Sequence, residues 1–307
     1  MNKTLKISSP WSQLGLFMLL LGGSLILTTV ITGAILLART GLDGVRPGGM
    51  NLEDPRFTGV LKLIQAVSTV TIFLLPALLY ARLTSRERPL DFVGFRPARR
   101  NIFYLLAVAI LLCSFPLEGW LGEINKQMPL PAWMINMEKD ADKQIIAFLR
   151  VGSPIDIVIN VLVIAVLPAI CEEACFRGGV QRILIQIFKS PWAGIVVTAI
   201  FFSAFHMQFE GFLPRMFLGI LLGAIYWYSG SLWASILAHF FTNGVQVVAV
   251  SFYPKMITEN PSVPVYAALI SLAIVVGLLS VLRRRSTTSY AQVYESVTVD
   301  EFPGFPQ

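Results

Sequence analysis

Residues 154–188 read PIDIVINVLVIAVLPAICEEACFRGGVQRILIQIF. The stretch is apolar over most of its length, yet it sets two adjacent glutamates, Glu172 and Glu173, and an arginine, Arg177, inside the run. About 20 apolar residues cross a bilayer as a helix, which satisfies its own backbone in a solvent without hydrogen-bond partners. As one helix the stretch would be ~50 Å long against a hydrocarbon core of ~30 Å, so it either tilts and projects from the membrane or breaks near Pro168. Ionisable side chains are costly in such a run, and each one marks a candidate functional site.

The rest of the chain has the same character. It is 55% hydrophobic and only 14% charged, with a mean hydropathy of +0.69. A chain this apolar has too little polar surface to cover itself in water. Further spans fall at about 13–38, 60–83, 101–121, 191–208, 213–229, 231–252 and 263–282. With 154–188 they predict an all-α fold: a polytopic transmembrane bundle of about eight helices around an intramembrane polar site. Leu14–Leu37 is too long for the apolar core of a signal peptide and has no small-x-small cleavage site, so it reads as a retained first span.

The net charge of +6 comes from basic residues in short loops, a pattern of membrane orientation and not of nucleic-acid binding. Lys3, Lys6, the loop with Arg82, Arg86, Arg88, Arg96, Arg99 and Arg100, the segment with Arg177, Arg182 and Lys189, and Arg283–Arg285 all belong on one side. On the other side Asp43, Glu53 and Asp54 offset Arg46 and Arg56, and Lys255 is nearly alone. Both termini are therefore expected in the cytoplasm, with the protein multi-pass in the cell membrane.

Residues 122–150 mix charges, prolines and amphipathic stretches, and predict an extramembrane loop with an interfacial helix and Trp133 at the headgroups. The polar tail 286–307 predicts disorder. Trp120, Trp227 and Trp233 read as interface anchors, Pro76 as a kink, and Gly219 with Gly223 as a GxxxG packing face. Cys113, Cys171 and Cys175 form no disulfide framework and read as small buried residues.

Lys62, Glu118, Asp156 and Arg215 lie near span ends, which leaves Glu172, Glu173, Arg177, His206 and His239 within spans. The last two are the only histidines in the chain. Adjacent glutamates point about 100° apart on a helix, so only one faces a cavity squarely. Arg177 follows Glu173 by four residues, the spacing of a helical ion pair, which leaves Glu172 as the freer carboxylate. His239 and Asn243 are four apart and share a helix face. Lys189-Ser190-Pro191 reads as a turn; Glu172 lies 17 residues before Lys189 and His206 lies 15 after Pro191. In an antiparallel hairpin their depths differ by only ~3 Å, so they can face each other.

A carboxylate, two imidazoles and an amide in a dry site suit the activation of water. His239 and Asn243 could donate to the oxyanion of a tetrahedral intermediate. Glu172, His206 and His239 also match a catalytic zinc set with one open position, so metal-dependent and metal-free hydrolysis both fit. HExxH and GxSxG motifs are absent. A proton relay in a transporter is the competing use of such residues.

Taken together, Glu172-Glu173-Ala-Cys-Phe-Arg177, Phe202-Ser-Ala-Phe-His206 and His239-Phe-Phe-Thr-Asn243 resemble the EExxxR, FxxxH and HxxxN signature of the CAAX protease and bacteriocin-processing (CPBP) family, which includes the type II CAAX prenyl endopeptidases. The resemblance covers roughly residues 155–250. It implies a catalytic core over 154–252; hydropathy and composition give N-terminal transmembrane helices and an extramembrane loop over 1–153, a last span over 253–285 and the tail 286–307. The resemblance implies an intramembrane endopeptidase in which Glu172 activates water with His206 as partner. His239 and Asn243 would stabilise the oxyanion, or His239 would help hold zinc, and Glu173 and Arg177 would orient the site. The implied partners are membrane lipid and a peptide or protein substrate, lipidated in some members. A non-proteolytic immunity or scaffold protein of the same fold is the alternative.

Overall fold

The computed structural model describes residues 6–45, 54–85, 88–253, 256 and 262–294. Lys3, Arg46, Glu53, Arg86 and Lys255, used above for orientation, lie outside the described residues, as do the side chain of Asp43 and residues 295–307.

The described elements are helices: α1 (Pro10–Val45), α2 (Pro55–Thr84), the short α3 (Pro89–Val93), α4 (Ile102–Lys126), α5 (Ala132–Leu149), α6 (Pro154–Phe188), α7 (Pro191–Phe205), α8 (Phe212–Ser229), α9 (Leu232–Phe252), α10 (Val265–Arg285) and α11 (Tyr290–Tyr294). Among the described residues, α1, α2, α4, α6, α8, α9 and α10 are long and apolar enough to cross a membrane. The 15-residue α7 is the shorter eighth member of the bundle. Side chains such as Leu19 (72% exposed) and Ile26 (70%) on α1, and Leu269 (60%) on α10, point outward. Apolar surface on this scale needs lipid against it. The protein is a multi-pass membrane protein.

The main core joins α4, α8, α9 and α10 through residues such as Ile110, Leu222, Ala238 and Val275. A second core packs Phe17 of α1 and Tyr80 of α2 against Cys175, Phe176 and Ile183 of α6. Helix α6 thus lies between the N-terminal helices and the core of the bundle.

The length problem of α6 is resolved without a break. The helix passes through two wider π-type segments, Val161–Val166 and Ala174–Gln181, on either side of Leu167–Glu173. The first immediately precedes Pro168, whose missing N–H and ring an ordinary α-turn would not accommodate. The same arrangement occurs in α2, where the π-type segment Val70–Leu74 precedes Pro76 at the expected kink. π-Bulges concentrate at functional sites, and here two of them flank the paired glutamates.

Glycines let neighbours approach α6 and α8. A Cβ on Gly179 would stand 2.4 Å from the Phe17 ring, and one on Gly223 would stand 2.6 Å from Gln181 Oε1. The GxxxG face of α8 is indeed a close helix contact, and its bared carbonyls accept hydrogen bonds: Arg177 Nη2 donates to Gly219 O (3.2 Å) and Gln181 Nε2 to Gly223 O (3.1 Å). The four-residue spacing of the donors matches that of the glycines, which locks the register of α6 against α8.

Three expectations need correction. Helix α4 runs to Lys126, so Gly122–Lys126 are helical and not loop. The tail is not disordered from residue 286: Tyr290–Tyr294 form α11 and pack on the main core. For that reason Trp227 is a core residue (7% exposed) and not an interface anchor; its ring stacks on Tyr294 with centroids 6.4 Å apart. All three cysteines are free.

Candidate active site

Glu173 and Arg177 form the buried base of the site. Arg177 Nε lies 3.2 Å from Glu173 Oε2, and both side chains are fully inaccessible. The other oxygen of Glu173 accepts from His239 Nδ1 at 3.1 Å. The guanidinium of Arg177 also lies over the Phe202 ring, 4.6 Å from its centroid. Phe202 in turn packs edge-on against both imidazoles, at 5.0 Å from His206 and 6.1 Å from His239. The aromatic position of FxxxH is therefore the hub that spaces the two histidines.

The turn at Lys189-Ser190-Pro191 forms as expected. Lys189 is left-handed (φ 51), Ser190 Oγ accepts from Ala193 N (3.3 Å), and Pro191 opens α7. The resulting hairpin brings Glu172 Oε2 to 3.9 Å from His206 Nε2. His206 Nδ1 is 2.7 Å from the carbonyl of Phe202, which can only accept, so Nδ1 carries the proton. In neutral His206 this leaves the Nε2 lone pair facing Glu172. At hydrogen bonds of about 2.8 Å each, one water can touch both atoms across that gap.

Glu172, His206, His239 and Asn243 line one cavity of about 690 Å³, whereas Glu173 and Arg177 stand behind its wall. On α9 the lining positions His239, Asn243, Gln246, Val247 and Val250 form one helical stripe. Asn243 Nδ2 makes a long contact of 3.5 Å to Ile164 O in the first π-type segment.

Two ionisable residues set aside in the sequence also line this cavity: Glu118, which hydrogen-bonds Ser114, and Arg215. Both sit close to span ends by count. The 15 residues of α7, however, span only about 22 Å, so its C-terminus stops inside the bundle. The chain turns at Met207 (φ 55) immediately after His206, and α8 begins at the same depth. Arg215, in the first turn of α8, therefore faces the cavity, held by Gln208 O (3.1 Å) and Gln208 Oε1 (2.9 Å). The intervening loop is pinned by Asn125, which donates to Phe209 O (2.8 Å) and accepts from Leu213 N (2.6 Å). The default rule that an intramembrane ionisable residue is functional would have retained Arg215 and Glu118; nothing in the sequence singled out Asn125.

Helix α5 crosses this end of the cavity and contributes Asp142, Ile145 and Phe148 to its lining. Trp133 at its start packs on Phe209 (centroids 5.5 Å apart), and Glu138 Oε2 accepts from Glu210 N (3.3 Å). Partial burial holds the Glu138 carboxyl above its usual range. The amphipathic segment is thus a wall of the site as well as a surface helix.

Among the described residues no three His, Cys, Asp or Glu side chains come together as a metal-holding group.

The site thus gathers a carboxylate, two imidazoles and an amide around one cavity within the bundle of a multi-pass helical protein. Residues 154–245 match the family model of type II CAAX prenyl endopeptidase Rce1-like proteins, and to that extent the chain is similar to that family. The matched segment contains all six signature residues and ends before α10; α4 and α5 lie outside it. The matched family is one of proteases, which act on peptides or proteins. No curated protein and no solved structure matches the chain.

Proposed function

We propose that this protein is an intramembrane endopeptidase that hydrolyses peptide bonds of membrane-associated substrates, lipidated ones included, with water activated by Glu172 and His206. The observation that carries this reading is the 3.9 Å separation of Glu172 Oε2 and His206 Nε2 on a cavity wall shared with His239 and Asn243. Glu172 takes the proton of the attacking water and returns it to the amine nitrogen as the C–N bond breaks, and the lone pair on His206 Nε2 orients that water. The amide of Asn243 donates to the oxygen of the scissile carbonyl as it becomes negative.

The role of His239 depends on its protonation. Because Nδ1–H is given to Glu173, a neutral ring offers only a lone pair at Nε2, and donation to an oxyanion requires the imidazolium. Glu173 and Arg177 act by position, holding the His239 ring. No step in this sequence passes through a metal.

The arginine-bearing helix ends gather on one face, and the positive-inside rule assigns that face, with both termini, to the cytoplasm of the cell membrane. The loop after His206 and helix α5 then lie toward the opposite side, from which the cavity is approached.

The test is cleavage of a panel of membrane-tethered peptides, prenylated and unprenylated, by detergent-purified protein beside Glu172→Gln and His206→Ala, with and without a zinc chelator. Loss of cleavage in both variants with chelator-insensitive wild type is expected. Cleavage surviving both substitutions refutes the assignment, and chelator-sensitive cleavage refutes the metal-free sequence. In sealed right-side-out vesicles, peptides added outside should be cut.

A further inference from the structure

A second cavity, of about 490 Å³, lies on the arginine-rich face, away from the site just described. It forms where α2, α6 and α8 end and where the segment after α10 returns through α11. Among the described residues, four guanidiniums line it, those of Arg88, Arg96, Arg99 and Arg182, against one carboxylate, Asp91. Asp91 pairs with the exposed Arg88 at 3.7 Å.

Among the described residues, the contacts that hold the other three do not neutralise them. Arg182 is sandwiched between Phe92 and Tyr294, its carbon centre 4.2 Å and 5.3 Å from the two ring centroids. Its Nε is buried without a hydrogen-bond partner. Arg96 Nε donates to Gly230 O (2.8 Å) and Arg99 Nη1 to Thr287 Oγ1 (2.6 Å), each using one of five N–H groups. Like charges gathered in a cavity and immobilised on neutral partners, with a buried donor unspent, point to an anion as the missing component. Guanidinium forks match the oxygens of phosphate. The position at the ends of spans is that of phospholipid headgroups.

We propose that this cavity binds a phosphate-bearing anion, either the headgroup of an anionic phospholipid in the leaflet on the arginine-rich side or a soluble phosphate. Binding would clamp α11 and α3 onto the end of α6, the helix that carries Glu172 and Glu173.

The test needs no peptidase activity, so its outcome is separate from that of the proposed function. The full-length protein in neutral detergent is titrated with phosphatidylglycerol, phosphatidylcholine and inorganic phosphate, and bound lipid is read by native mass spectrometry. The variants are Arg99→Gln and the pair Arg96→Gln, Arg99→Gln. Phosphatidylglycerol should bind in preference to phosphatidylcholine, and affinity should fall roughly fivefold for each arginine removed. Displacement of bound phosphatidylglycerol by inorganic phosphate assigns the site to soluble phosphate; persistence of the lipid assigns it to the headgroup. Equal binding of the two lipids, or unchanged binding of phosphatidylglycerol in Arg99→Gln, overturns the proposal. The single variant alters an exposed contact to Thr287 and decides the matter even if the pair fails to fold.

Discussion

The sharpest prediction concerns the buried Glu173–Arg177 pair. Replacing Arg177 by Met keeps much of its volume but leaves Glu173 as an uncompensated charge in a site with no solvent access. At the observed 3.2 Å, the attraction at an effective dielectric near 20 is about 5 kcal/mol. Arg177 also loses its charge-assisted bond to Gly219 O and its seat on Phe202. Breaking one partner of a buried pair costs about 3–5 kcal/mol, so Arg177→Met should lose that much. Glu173→Gln keeps an oxygen for His239 but strands Arg177, and should cost a similar amount. The two together remove both charges. The double variant should therefore be more stable than the sum of the singles implies by about 1–3 kcal/mol. Reversible unfolding in mixed micelles, with a denaturing detergent as titrant, measures all four corners of this cycle. A single-variant cost below about 1 kcal/mol, or additivity within about 0.5 kcal/mol, would refute the view that the pair is a coupled buried unit.

Asn243→Ala should lower kcat by about 10²–10³ with little change in KM, because the amide is asked to act only on the developing oxyanion; an effect confined to KM would contradict that role. Gly223→Ala should destabilise by about 1–3 kcal/mol, since its Cβ would stand 2.6 Å from Gln181 Oε1 and 2.9 Å from Ile195 Cγ2; a neutral result in the same micelle assay would show that α6 and α8 can move apart. Tyr294→Ala should lower the thermal midpoint by loosening the stack on Trp227 and the seat of Arg182; an unchanged midpoint would mean that α11 adds nothing to the bundle.

Much of this protein was legible in its sequence because membrane helices announce themselves locally. Hydropathy marks the spans, and a four-residue spacing on one helix already pairs Glu173 with Arg177 and aligns His239 with Asn243. A turn signal at Lys189-Ser190-Pro191, with nearly equal counts on either side, brings Glu172 toward His206. These are properties of single helices or of one hairpin, where rise and rotation per residue are fixed.

What only the tertiary structure decided is the depth at which each helix ends and what then covers it. By count, Arg215 and Glu118 belong at membrane surfaces; the short α7 stops inside the bundle and α8 restarts there, which turns Arg215 into the cavity. Asn125 became a loop clamp because α4 continues past its apolar run, and α5 became a wall because Trp133 and Glu138 meet the loop after His206. Trp227 was buried by a tail segment whose composition suggested disorder. Sequence patterns report the solvent a residue prefers, whereas the position of a helix end is set by packing against neighbours remote in the chain, and no local pattern encodes it.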